Sequence, residues 1–245
     1  MSVNMKVPVM ALSPNINWLF PSPNMKDTNT FKSVIITGPR KSGKSFLMEY
    51  IYKTYLAGHY MFVILISPNV GTAEYNYFRP IPGITFIPMI EFNGQIIKKI
   101  ADINASRSRI NKRPFPCLVI MDDCGHTLKY NDEVRHLFIR GRHQYMTAFL
   151  LSQSVKQQIS IDIRDNTDYW ISLSENTADR VDFFITNILF PIRIPDKYLS
   201  SLKRASVQTF WESFIKHNAK AHTAIIIRRS ETDFNKAIIL FRAPN

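Results

Sequence analysis

"SVIITGPRKSGKSFLMEYIYKTYLA", residues 33–57, is the stretch on which the fold turns. It opens as a short apolar strand. It closes as a helix in which Phe46, Leu47, Tyr50, Ile51 and Tyr55 recur near helical spacing, with Gly58 placed to end it. Between strand and helix stands "GPRKSGKS", that is Gly38, Pro39, Arg40, Lys41, Ser42, Gly43, Lys44 and Ser45, which fits G-x-x-x-x-G-K-[ST]. A turn of this kind aims backbone N–H groups and a helix N-terminus at phosphate oxygens. Lys44 can then reach the β- and γ-phosphates, and the Ser45 hydroxyl can ligate Mg²⁺. The bland alternative, a glycine-rich turn that merely caps a helix, does not account for the full motif with a strand running in and a helix running out.

Further along, "CLVIMDD", residues 117–123, is an apolar run of the sort that fills a buried strand, yet it ends in Asp122 and Asp123. Adjacent like charges at the end of a core strand are costly unless a cation or a hydrogen-bond partner offsets them. A nucleotide site provides the cation: Asp122 is expected to hold the Mg²⁺ shell, and Asp123 to orient or deprotonate the attacking water. Either aspartate could instead cap the following turn, and Asp123 is one methylene shorter than the Glu common at the second position. About thirty residues on, "FIRGRHQYMTAFLLSQS", residues 138–154, offers a helix end with Arg140 and Arg142, then a strand whose carboxyl end presents Gln153. Gln153 reads as a γ-phosphate sensor or as a surface glutamine. Arg140 and Arg142 read as an arginine finger for a neighbouring subunit's nucleotide or as cations favoured at a helix C-terminus.

The rest of the chain alternates in the same way. "MFVILIS" and "ITFIPM" read as strands, "EFNGQIIKKIADINAS" as a helix, "NDEVRHLFIRGRH" as a helix capped by Asn131, and "DYWISLS" as a later strand. A helix near "ADRVDFFITNIL", a helical stretch around residues 196–217 and a terminal hairpin from "TAIIIRR" to "KAIILFR" follow. Strands separated by helices imply an α/β fold with a mainly parallel central sheet flanked by helices, here with a C-terminal β-hairpin added. Residues 1–30, rich in Asn, Pro and Ser, read as an arm, residues 31–195 as the core, and 196–245 as a basic extension packed on it.

The 245 residues allow one sizeable domain with a full core, and 45% hydrophobic with 20% charged residues is the balance of a soluble globular protein. No apolar run approaches the ~18 residues of a membrane span. Pro8 interrupts the apolar part of an N-terminus without a basic n-region, so no signal peptide is expected and the protein is placed inside a cell or a particle. Two cysteines, Cys117 and Cys124, make no disulfide framework, and their spacing with His126 is not that of paired zinc ligands. The formal net charge of +12 points to nucleic acid as a partner. "SRSRINKR" gathers Arg107, Arg109, Lys112 and Arg113 without an acid, and residues 196–245 hold nine Lys/Arg against four Asp/Glu; each segment is a binding surface or a solvated face.

The order "GPRKSGKS", "CLVIMDD", "GRH", "LLSQS" resembles that of the viral genome-packaging ATPases of the FtsK–HerA superfamily, of the type found in poxviruses, giant viruses and virophages. The likeness spans roughly residues 33–170, and "GRH" followed by a strand ending in Gln is its most discriminating element. It implies a P-loop NTPase of the RecA/ASCE-like type, hydrolysing ATP with Mg²⁺ in a homo-oligomeric ring that pumps double-stranded DNA into a preformed capsid, with a capsid protein at a portal or vertex as a further partner. It implies work in the host cytoplasm or virus factory, or within the virion. Carried over residue by residue, Lys44 and Ser45 bind phosphate and Mg²⁺, Asp122 and Asp123 serve metal and water, Gln153 senses the γ-phosphate, and Arg142, with Arg140 second, is the finger. A small-molecule kinase would share the phosphate loop but usually needs an Arg-rich lid and gains nothing from a basic surface. A nucleotide-gated DNA-binding switch that hydrolyses slowly is the reading from another class.

Overall fold

The computed structural model describes residues 7–78, 81–124, 128, 130–153, 159–173, 178–199, 204–219 and 223–244. Nine strands form one sheet: β1 (Leu12–Ser13), β2 (Ser33–Thr37), β3 (Phe62–Ile66), β4 (Thr85–Met89), β5 (Cys117–Asp122), β6 (Met146–Ser152), β7 (Tyr169–Leu173), β8 (Ala224–Arg228) and β9 (Ile238–Phe241). Their spatial order is β1-β9-β8-β7-β2-β6-β5-β3-β4. The six strands from β7 to β4 in that order are mutually parallel, β8 runs antiparallel to β7 and β9 to β8. The terminal hairpin is thus no separate ribbon but continues the central sheet, and β1 adds to its outer edge in parallel with β9.

β2, β5 and β6 are buried along their whole length, as strands covered on both faces must be. Their side chains alternate between two apolar layers. Val34, Ile36, Leu118, Ile120, Phe149 and Leu151 face one layer, together with Leu47, Met48 and Ile51 of helix α1 (Lys44–Ile51) and with Ile16, Leu19 and Phe20 of the N-terminal arm. Ile35, Val119, Met121, Ala148 and Leu150 face the other. That layer is covered by α2 (Gly94–Arg109), α3 (Asp132–Arg140), the short α4 (Ile161–Asp165), α5 (Ala178–Phe184) and α6 (Arg204–Asn218). Fully burying one such aliphatic side chain contributes about 1.5–3 kcal/mol, so the central strands anchor everything carried at their ends. Phe210, Trp211 and Phe214 of α6 join this second layer, at most 0% exposed, which ties the basic C-terminal segment into the core.

The caps follow the sequence. The Asn131 side chain accepts from the N–H of Glu133 and Val134, and Gly58 has φ +84° where α1 and its π-helical last turn end. Phe46 departs from the expected pattern: despite its helical spacing it is 52% exposed, because the first turn of α1 stands at the sheet rim while Leu47, Met48 and Ile51 point inward. Cys117 is buried within β5, where burial pushes its thiol pKa up, and the Cys124 thiol donates to the Ile66 carbonyl at 3.2 Å. His126 lies outside the described residues. Among the described residues no helix is long and apolar enough to cross a membrane.

Candidate active site

All the parallel strands end on one rim, and Gly38, Asp122, Asp123, Gln153 and Ser67 are brought together there as the residues at or just past the carboxyl ends of β2, β5, β6 and β3. Gly38 is locked between its neighbours: its N–H donates to the Ser152 carbonyl at 3.3 Å, and a Cβ on it would lie 2.6 Å from the Leu173 carbonyl oxygen and 2.5 Å from Ser42 Oγ. Lys41 and Gly43 take positive φ, +63° and +94°, and α1 starts at once with the Leu47 N–H donating to the Gly43 carbonyl. Left-handed residues set among right-handed ones turn neighbouring N–H groups inward, the geometry of an anion nest. Lys44 is 8% exposed and its ammonium donates to the carbonyls of Gly38 and Pro39, 2.9 Å each. Arg40 and Lys41 stand exposed on the loop's outer side. The Ser42 hydroxyl is buried without a hydrogen-bond partner among the described residues.

The paired aspartates diverge. Asp122, 6% exposed, turns toward β3: Ser45 Oγ donates to its Oδ2 at 3.4 Å and the Tyr75 hydroxyl to the same oxygen at 2.9 Å, with Tyr75 and Ser67 hydroxyls 3.0 Å apart. Burial pushes the Asp122 pKa up to about 6; Tyr75's hydrogen bond and the Lys44 charge restrain the rise, and Glu74 and Asp123 add to it. A buried carboxylate that strains to ionise beside a hydroxyl is a hard-oxygen pair suited to Mg²⁺, whose charge would restore the ionised form. Asp123 has φ +53° and turns toward β6, where Gln153 Nε2 donates to its Oδ1 at 3.0 Å. One strand, β6, lies between β2 and β5, and this is what sets Gln153 between the phosphate loop and Asp123.

Arg140 and Arg142 lie at the other rim. They precede β6, whose seven residues, at about 3.3 Å each, carry the chain roughly 20 Å from them to Gln153. Arg142 pairs with Asp168 at 3.5 Å, and Arg140, the last residue of α3, is exposed. Neither reaches the phosphate loop of its own chain.

Residues 23–227 match the family model of the poxvirus A32 protein. The chain belongs to the poxvirus A32 protein family. Solved structures of similar fold include the genome packaging NTPase B204 from Sulfolobus turreted icosahedral virus 2 in complex with AMPPCP, at TM-score 0.59 and 14% identity over 87% of this chain and 98% of that one. EssC (ATPases 2 and 3) from Geobacillus thermodenitrificans gives TM-score 0.57 and 13% identity over 87% of this chain and 40% of that one. Thermomonospora curvata EccC (ATPases 2 and 3) gives 0.55 and 11% over 89% and 37%. No curated protein matches the chain. These likenesses establish the A32-family chain as a P-loop ATPase fold, α/β with a mostly parallel sheet.

Two residues of the A32-family site escape sequence reasoning. Tyr75 belongs to a short 3₁₀ turn (Ala73–Phe78) 47 positions before Asp122, in a stretch without a motif. Arg180 of α5 donates from Nη2 to the Gln153 carbonyl at 2.6 Å, and its Nη1 is buried without a partner among the described residues. Each was legible in the sequence only as one aromatic or basic residue among many.

Proposed function

We propose that this A32-family chain is an ATP-hydrolysing motor that moves double-stranded viral DNA into a capsid. The observation that carries the reading is the Asp123–Gln153 pair set beside Lys44, Ser45 and Asp122 at one rim of the sheet. Lys44 exchanges the Gly38 and Pro39 carbonyls for the β- and γ-phosphates of ATP, and the loop N–H groups hold the phosphate chain. Ser45 and Asp122 would hold Mg²⁺, which would supply positive charge against the phosphate oxygens. Asp123 accepts a proton from, or orients, the attacking water, and Gln153 fixes Asp123 while contacting the γ-phosphate. Tyr75 holds Asp122 in place, and Arg180 fixes the backbone of Gln153.

The name of B204, a genome packaging NTPase of nearly the same length as the stretch it matches, supports the packaging step. The +12 charge supports DNA as the polymer moved. Exposed Arg109, Lys112 and Arg113 follow α2 close to the Gly141–Gln144 turn, to which Asn104 of α2 is tethered by its Nδ2 donating to the Gln144 carbonyl at 2.9 Å. That basic rim, opposite the ATP rim, is the surface proposed to meet DNA or the next subunit of a ring, inside the infected cell where genome and capsid meet. The deciding measurement is ATP turnover with and without double-stranded DNA. DNA-stimulated turnover with no phosphorylation of added acceptors is expected. Nucleotide-dependent DNA binding without stimulated turnover would instead identify a switch.

A further inference from the structure

β3 and β5 lie side by side with Ile66 opposite Met121, so Ser67, the first residue past β3, comes level with Asp122 at the end of β5. The chain then leaves the sheet through closed turns: the Val70 N–H donates to the Ser67 carbonyl, that of Thr72 to Asn69 and that of Tyr75 to Thr72. These turns fold the 3₁₀ segment Ala73–Phe78 back toward the strand end. Phe78, 1% exposed, seats it, with its ring centroid 4.5 Å from that of Tyr52 in the π-helical continuation of α1, the helix whose second residue is Ser45. Tyr75 therefore approaches Asp122 from a segment tied both to β3 and to the helix of the phosphate loop.

The hydrogens in this approach have a fixed direction. A phenol has one proton to donate, and a carboxylate can only accept. The Tyr75 hydroxyl gives its proton to Asp122 Oδ2 at 2.9 Å, so across the 3.0 Å between the Tyr75 and Ser67 hydroxyls it is Ser67 that donates. The Ser67 oxygen in turn accepts the Asn69 N–H at 3.2 Å. Each donor in the series Asn69, Ser67, Tyr75 points toward the carboxylate, and bonds aligned in this way strengthen one another. Ser45 Oγ meets the same Oδ2 from α1 at 3.4 Å. Tyr75 and Ser67 are both buried, which shields the series from water.

Resting on the metal reading of Ser45 and Asp122 proposed above, we infer that Tyr75, directed by Ser67, is a positioning residue for Mg²⁺: it fixes the Asp122 carboxylate in the orientation that faces Ser45 before the cation arrives. Mg²⁺ demands near-ideal octahedral geometry, so a carboxylate already held in place binds it better than one that must first be ordered. Partners that orient a metal ligand commonly account for about 10–100-fold in metal affinity. Ala73, Glu74 and Asn76 around Tyr75 are exposed, so a surface turn sets the order of the metal site.

The test is calorimetric titration of the full chain with the non-hydrolysable ATP analogue AMPPCP, once with Mg²⁺ and once in EDTA, for the wild type, Tyr75→Phe and Ser67→Ala. The wild type is expected to bind more tightly with Mg²⁺. Tyr75→Phe keeps the ring and removes the donor; it should weaken the Mg²⁺ complex by about tenfold and leave affinity in EDTA as in the wild type. Ser67→Ala, which only loosens Tyr75, should lose about threefold in the same selective way, and it decides the matter if Tyr75→Phe does not fold. Wild-type affinity of both variants with Mg²⁺, or losses equal in Mg²⁺ and EDTA, would overturn the assignment and leave Tyr75 a packing residue. A selective loss in Tyr75→Phe with none in Ser67→Ala would overturn the part given to Ser67. Failures of the underlying reading look different: wild-type binding indifferent to Mg²⁺ would overturn the metal reading of Ser45 and Asp122, and undiminished binding by Lys44→Ala in EDTA would overturn the phosphate-loop reading, each taking the role of Tyr75 with it.

Discussion

Lys44 keeps its charge almost out of water on two backbone carbonyls, which a phosphate can replace without any new desolvation of the ammonium. Lys44→Ala is expected to lower kcat/KM by a hundredfold or more, and Asp123→Asn to leave ATP bound but uncleaved, since in the proposed reaction each removes a group acting on charge that develops in the transition state. Steady-state turnover and nucleotide titration check this; more than about a tenth of wild-type turnover in both variants would sink the assignment. Asp122 supplies a second prediction, of stability against pH. Its folded-state pKa of about 6 lies above that of an exposed carboxylate, so between the two values the folded protein binds the proton more tightly than the unfolded chain. This group therefore stabilises the fold most at low pH, loses that as the pH rises toward 6, and above it is a buried charge costing on the order of 3 kcal/mol. Without Mg²⁺, Asp122→Asn is expected to melt higher than wild type near pH 7.5 and to lose that advantage near pH 4. A melting advantage equal at both pH values contradicts the raised pKa.

At the scale of elements, the phosphate loop is held by the strands flanking β2. The Gly38 N–H is bound to the end of β6, and the absence of a Cβ lets β7 approach within van der Waals contact. Gly38→Ala must push the loop off the Leu173 carbonyl, and overpacking of this kind costs about 1–3 kcal/mol. The expected result is a lower melting temperature together with weaker ATP binding. A variant that melts as wild type and binds ATP normally would show that the loop is not clamped. The loop itself was legible because eight contiguous residues and their flanking strand and helix contain it all. Asp123 and Gln153 were legible as separate candidates, since each ends an apolar run. Their hydrogen bond was not, because it depends on β6 lying beside β5, and strand order leaves no mark on the period of either strand.

For the whole molecule, the position of Arg140 and Arg142 on the rim opposite the ATP site leaves one way for either to serve as a finger: in a neighbouring subunit. A head-to-tail contact that places them at the next chain's nucleotide is heterologous and closes into a ring when its rotation allows. Lys44→Ala and Arg142→Ala proteins, each inactive, should then recover part of the turnover when mixed, as should Lys44→Ala with Arg140→Ala if that exposed residue is the finger. Full activity of a dilute monomeric protein lacking both arginines returns them to helix-end cations, with Arg142 serving only its pair with Asp168. The net charge makes a separate prediction. Binding to duplex DNA should be nearly blind to sequence and should weaken steeply with salt, because phosphate contacts release counterions. A shallow salt dependence, or more than roughly tenfold preference between unrelated duplexes, would contradict it.

By itself the sequence determined the elements and the chemistry that a short stretch can hold: the alternation of apolar strands with helices, the cap at Asn131, the eight-residue loop motif, and two carboxylates at a strand end that need a cation or a hydrogen-bond partner. Those signals are local, set by backbone geometry and side-chain period within one or two turns or one strand. The tertiary structure alone decided what lies across from what. It seated Tyr75 on Asp122 and Arg180 on Gln153, carried the C-terminal hairpin into the sheet beside β7, left Phe46 at the edge of a cavity, and sent Arg142 to the far rim against Asp168. Each of these joins residues from different elements, and such contacts follow from the order in which strands pair to bury both faces of the sheet, which the pattern within any single strand does not encode.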